Sequence, residues 1–304
     1  MLYRGFRFFM ACFLVSVLSG CSLYSAYWDR AAETASNASQ RLQAIDGIEE
    51  SGIHHKSDTP TANFIVDMVV AEDKQDSLEE TVSAAMPILQ ELADEYRTEV
   101  VIKSGKYGVN WYVSKRITPQ VIVEFFHEMK ELSDLLNPHD SHLSVLSAQA
   151  YELRVNKTQL PVRQICEQRL WTSLTHYKKL KIYDRTRTSL AITPDDLDLL
   201  AIDYFMGETG PGVTVNDLTM LDPGYTKVSL LIDDKNPRAE HSLRAFFDSI
   251  PAQLRHRLQF TCRQADVDYI SVSVTMNDGI LRFSSDSPDT HSKIYPIVNS
   301  VVNG

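Results

Sequence analysis

Glu99–Gln120 reads EVVIKSGKYGVNWYVSKRITPQ, and the fold turns on how it is read. Two runs, Glu99 to Lys103 and Tyr107 to Val113, flank Ser104-Gly105-Lys106. Their β-branched and aromatic residues suit a pleated, half-buried surface, and a short Gly-containing link between such runs predicts a β-hairpin. Thr118-Pro119 then signals a helix start. The threonine oxygen can accept a free amide there, and proline lacks only an amide that would have no helical partner. Ile122, Phe125, Phe126, Met129 and Leu132 follow at the spacing of one helical face.

Outward from this stretch the same order returns. Upstream, Asn63 to Ala71 (NFIVDMVVA) is strand-like. Ser77-Leu78-Glu79-Glu80 has the form of a capping box, and Leu78, Val82, Ala85, Leu89, Leu92 and Tyr96 continue it at helical spacing. Downstream, Tyr151 to Asn156 predicts a strand, Pro161 to Tyr177 a helix, and Leu180 to Tyr183 with Ser189 to Ile192 a pair of strands. Thr193-Pro194-Asp195-Asp196 opens a helix through Phe205. A third round comprises a strand at Lys227 to Asp233, a helix from Asn236-Pro237 to Ile250, and strands at Leu258 to Arg263 and Tyr269 to Met276. Asn277-Asp278-Gly279 turns into Ile280 to Phe283, because Asp-Gly takes the positive φ that tight hairpins need. Ser287-Pro288 opens a final helix carrying Ile294, Ile297, Val298 and Val301.

A β-α-β-β-α order three times over resembles the ferredoxin-like fold. The resemblance implies an α+β chain of tandem ferredoxin-like units, antiparallel sheets with helices on one face. The units fall at 47–145, 146–212 and 213–304. The alternative is one larger α+β domain whose helices share ordinary caps.

The beginning of the chain is of another kind. Arg4 and Arg7 precede an apolar run from Phe8 to Leu18, too short to span a bilayer. Leu18-Ser19-Gly20-Cys21 then resembles the lipobox of bacterial lipoproteins. That resemblance implies that residues 1–20 are a signal peptide, that Cys21 carries a thioether-linked diacylglycerol, and that the protein is held on the extracytoplasmic face of the cell membrane, or at an outer membrane if the cell has two. Two acyl chains suffice for stable anchoring. Residues 21–46 read as a tether: Ser22 to Gln40 is rich in Ala, Ser and Asn and lacks a strong apolar stripe, Arg41 to Ile45 admits a helical reading, and Asp46-Gly47 breaks it.

Removing residues 1–20 leaves 28 basic against 40 acidic residues, a net charge of −12. An acidic body argues against nucleic acid and against adsorption to anionic headgroups. With Cys12 gone and Cys21 carrying lipid, Cys166 and Cys262 remain, which could pair outside the cytoplasm or stay as separately buried thiols, the favoured reading.

Catalytic patterns are thin. Pro138-His139-Asp140-Ser141-His142 and His54-His55 lack further ligands at metal-site spacing and read as polar loop residues. His127-Glu128 begins a zinc-helix pattern, but Glu131 stands where the second histidine belongs. The Gly-rich Met206–Gly212 is followed by Val213-Thr214, not the Lys-Ser/Thr of a phosphate loop, and reads as a chain reversal. Asp195, Asp196 and Asp198 suit a helix N-terminus. Trp111 with Tyr112, and Trp171 with Tyr177, fit a core better than a glycan platform. No catalytic residue, metal ligand or cofactor is assigned. The expectation is a lipoprotein with a binding or structural role in the envelope, its partner an envelope protein or the cell wall. The alternative is an envelope-directed hydrolase whose carboxylates only the fold brings together.

Overall fold

The computed structural model describes residues 26–55, 63–194, 198–222, 225–256, 258–265, 271–284 and 290–304. The chain divides into two compact units, Met1–Val123 and Glu124–Gly304.

The first unit contains α1 (26–43), β1 (Ile48–His55), β2 (Asn63–Val70), α2 (Leu78–Glu95), β3 (Arg97–Ser104), β4 (Tyr107–Tyr112) and the start of α3 (Pro119–Leu136). β1 and β2 are antiparallel, β2 and β3 parallel, and β3 and β4 antiparallel around Gly105, whose φ is +54°. Alternation is strict on β2: Phe64, Val66, Met68 and Val70 are buried, with half-exposed residues between them. Thr118 Oγ1 accepts from Val121 N at 3.4 Å, as its cap position predicts.

One local expectation fails here, and another is extended. Ser77 Oγ does not cap α2. A 3₁₀ turn over Glu72–Ser77 precedes the helix, and the hydroxyl donates back to Lys74 O at 3.2 Å. The stretch read as a tether is a helix from residue 26, with Ala31, Ala35, Ala38 and Leu42 buried. Their methyl groups are too small to register as an apolar stripe, yet they allow close packing. Arg30 and Arg41 pair with Glu95 and Glu91 of α2 at 3.0 and 2.7 Å.

The second unit holds the rest of α3, then β5 (Asp140–Ser147), β6 (Ala150–Thr158), α4 (Val162–Gln168), β7 (Tyr177–Asp184), β8 (Ser189–Ile192), α5 (Leu199–Phe205), β9 (Val213–Asp222), β10 (Tyr225–Ile232), α6 (Ala239–Ser249), β11 (Leu258–Gln264), β12 (Ser271–Asn277), β13 (Ile280–Phe283) and α7 (Tyr295–Asn303). β5 to β13 lie side by side in sequence order. β6/β7, β8/β9 and β10/β11 are parallel, and the other pairs are antiparallel.

This sheet overturns the tandem ferredoxin-like reading. In a split β-α-β the two strands joined by the helix leave room for another between them. Here β2/β3, β6/β7 and β10/β11 are direct parallel neighbours, so the sheets are mixed. β8 pairs with β9 from Ser189↔Asp217 to Ile192↔Met220, so the strands expected in a second and a third unit share one sheet. The expectation missed β1, β5 and β9. Each is polar at alternate positions or interrupted by Asn-Asp, and the His139–His142 stretch read as a loop is largely β5. With these strands the order is β-β-α-β-β-α in the first two rounds, and the last round adds β13 before α7.

Helix ends moved as well. α4 stops at Gln168 because Arg169 takes φ +51°, so a predicted helix over 161–177 shrinks to seven residues. α5 starts at Leu199, capped by Asp198, whose carboxylate accepts from Ala201 N at 3.1 Å. Leu199 and Leu200 are exposed, while Ala201, Ile202 and Phe205 are buried. Phe125, Phe126 and Val298 are buried and Ile297 is half-buried. Asp195, Asp196 and Ser287 lie outside the described residues. The Asp278-Gly279 turn has φ of +51° and +82°, as a type I′ hairpin requires.

Candidate functional site

Strand alternation gives the nine-stranded sheet two unlike faces. Leu153, Leu180, Leu190, Leu218, Leu230, Phe260 and Val274 lie on the buried one. On the other, registered pairs carry His142, Arg154, Lys181, Ala191, Thr219, Lys227, Gln259 and Thr275 across eight strands. A neighbouring row runs Tyr183, Ser189, Asp217, Ser229, Thr261 and Ser273. Ser189 Oγ donates to Asp217 Oδ1, and Thr219 Oγ1 to Oδ2 at 3.2 Å. Ser229 Oγ, beside them in register, is buried without a hydrogen-bond partner. Arg154 lies over the Tyr183 ring at 5.1 Å, and Lys179 pairs with Glu152 at 3.1 Å. Arg154, Lys179, Lys181, Lys227, Arg263 and Arg282 thus outnumber Asp140, Glu152 and Asp217 on this face of an acidic chain.

A second cluster gathers around Glu128 of α3. Its carboxylate accepts from Tyr151 OH at 2.9 Å and from Thr175 Oγ1 at 3.2 Å, and meets His176 Nδ1 at 2.7 Å. Burial, then the Glu128 carboxylate, pushes the Tyr151 hydroxyl far above its ordinary pKa, so it stays a donor. Nδ1, directed at the carboxylate, is the donor of this contact. Phe125 packs on the imidazole with ring centroids 5.4 Å apart. Such a carboxylate–imidazole pair orients a base. Sequence spacing concealed it: His176 lies 48 residues from Glu128, inside a stretch read as helix.

The Gly-rich stretch is a reversal from α5 to β9. A side chain at Gly210 would meet Ser242 Oγ at 2.5 Å, and Gly212 has φ +82°, so glycine fits where the loop presses on α6. A cavity of about 650 Å³ beside it is lined by Arg163, Asp184, Glu208 and the loop. Asp184 is already committed, accepting from Val162 N, Thr186 N, Thr186 Oγ1 and Thr188 N at 2.6–3.1 Å.

The other candidates stay apart. Cys21 lies outside the described residues. Cys166 on α4 and Cys262 on β11 are buried free thiols, pushed up to about 12 chiefly by burial, so no bridge joins them. His54 sits 3.5 Å from Asp67, and His139 3.2 Å from Asp140, each an exposed pair. Among the described residues no three His, Cys, Asp or Glu side chains gather as a metal site. Trp111 and Trp171 are buried, with indole nitrogens that find no partner. Compared with family models, curated proteins and solved structures, the chain matches none.

Proposed function

We propose that the protein is a membrane-anchored extracytoplasmic lipoprotein, acylated at Cys21, that binds an anionic component of the cell envelope. The observation that carries the reading is the open face of the nine-stranded sheet, where Arg154, Lys179, Lys181, Lys227, Arg263 and Arg282 stand against Asp140, Glu152 and Asp217. A polar face with side chains in register across eight strands offers many contacts, which suits a macromolecular partner. Charge complementarity selects the partner's sign and speeds its encounter. Capture from detergent-solubilised envelope tests this. The native protein is expected to retain an acidic component that Arg154→Glu/Lys181→Glu/Lys227→Glu loses. Equal capture by both would refute the reading.

A second reading, an envelope-directed hydrolase, is favoured by the Glu128–His176 pair, which could serve as a general base through Nε2. His176→Ala would abolish such an activity, whereas in the binding reading it alters stability alone.

A further inference from the structure

We infer that one end of the first unit seats directly on the bilayer, with Tyr27, Trp28 and Tyr112 at the interface and Arg97, Lys115 and Arg116 beside the headgroups. The inference rests on the proposed acylation of Cys21. α1 is under way by residue 26, and five chain steps of about 3.3–3.6 Å put that residue within about 18 Å of the lipidated cysteine. α1 is no swinging arm, because Ala31, Ala35, Ala38 and Leu42 are buried and Arg30 and Arg41 pair with α2. The anchor therefore holds the folded body itself against the surface.

Which surface meets the bilayer follows from what surrounds the start of α1. Trp28 meets His55, the last residue of β1, edge-on at 4.3 Å, and Tyr27 lies 6.2 Å from Tyr96. His55 pairs with Phe64, Asn63 with Arg97, and Glu99 with Tyr112, which places all of these at one end of the sheet. Arg97 stacks over Tyr112 at 4.6 Å. Val113 N still bonds Thr98 O, so exposed Lys115 and Arg116 continue past the same end. Tyr27 is 37% and Tyr112 44% exposed, and Trp28 is half-buried. Tyrosine and tryptophan have an apolar body and a polar tip, which suits the headgroup layer, and cations favour anionic lipid. Asp29, Asp94, Glu95 and Glu99 are also near, Glu95 paired to Arg30 and Glu99 bonded by Asn110. The far end is more acidic, carrying Asp46, Glu72, Asp73, Glu79 and Glu80 with Lys74, Lys103 and Lys106. The first unit thus turns its more acidic end away from the membrane.

Fluorescence of the acylated full-length protein tests the seating. The vesicles contain phosphatidylcholine and phosphatidylglycerol, with part of the phosphatidylcholine brominated near the carbonyl end of its chains. Trp111 and Trp171 are buried in the body. Wild type is expected to lose emission that Trp28→Phe does not, and Tyr112→Trp, a second reporter at the same end, should be quenched too. A bimane attached through Glu79→Cys should be unaffected. Equal quenching of wild type and Trp28→Phe with no quenching of Tyr112→Trp, or quenching at position 79, overturns the seating while the anchor stands. An unmodified Cys21 in the mass spectrum instead overturns the anchor, and the seating with it.

Discussion

On β11, Phe260 and Thr261 are neighbours in sequence and opposites in surroundings. Phe260 is fully buried, its ring centroid 4.8 Å from Phe247 and within 6.3 Å of Phe205 and Phe246. Thr261 lies half-exposed in a row of short hydroxyl side chains with Ser229 and Ser273. The packed face holds the unit together through apolar burial. The open face adds little to that and is therefore available to carry charge for a partner. Stability and binding should separate along this divide, and each side of it can be broken alone.

The sharpest contrast is chemical. Cys166 and Cys262, pushed up to about 12, keep neutral thiols in the folded state. In the folded protein both should resist alkylation at mildly alkaline pH, and both should react once it is unfolded, as peptide mapping would read. A raised thiol pKa contributes stability present in full below the ordinary value near 9.0 and lost as pH climbs toward 12, so stability should fall across that window. Rapid labelling of either cysteine in the native protein would contradict the burial.

Next in size, Phe260→Ala should cost about 3–5 kcal/mol by urea denaturation, from lost transfer energy and the cavity left behind. Tyr151→Phe should cost about 1.5–3 kcal/mol, because it removes a hydrogen bond to a carboxylate. Its coupling to His176→Ala in a double-mutant cycle would show whether the Glu128 cluster acts as one network. Asp198→Ala should cost about 0.5–2 kcal/mol by removing the cap of α5, whereas exposed Leu200→Ala should stay within about 0.5 kcal/mol.

Smallest of all, Lys181→Ala on the open face should change stability by no more than about 0.5 kcal/mol. The same substitution should weaken capture of an acidic envelope component. If Lys181→Ala destabilised the protein as Phe260→Ala does, the open face would be part of the core after all.

Legibility in the sequence followed the size of the signal. The hairpin around Gly105, the Asp278-Gly279 turn and the faces of α2 and α3 were readable because their spacing and turn chemistry are local. The stripe of α1 was hidden because alanine is a weak apolar marker, and its burial depends on helix α2 lying close. β5 was lost because Asp140, Ser141 and His142 look like a loop until their partners on β6 are known. The Glu128 cluster left no trace, since its members are held together by packing across 48 residues.

The sequence by itself settled the strands and helices with strong local patterns, the tight turns and the acidic balance, because each depends on neighbours in the chain. Strand order, and with it the rejection of separate ferredoxin-like sheets, belongs to the tertiary structure. A strand's pattern says which of its faces is buried but not which strand lies beside it. That choice between β3 and some other neighbour for β2, or between β9 and a free edge for β8, is made by hydrogen bonds across the sheet, and no residue in the strand encodes them alone.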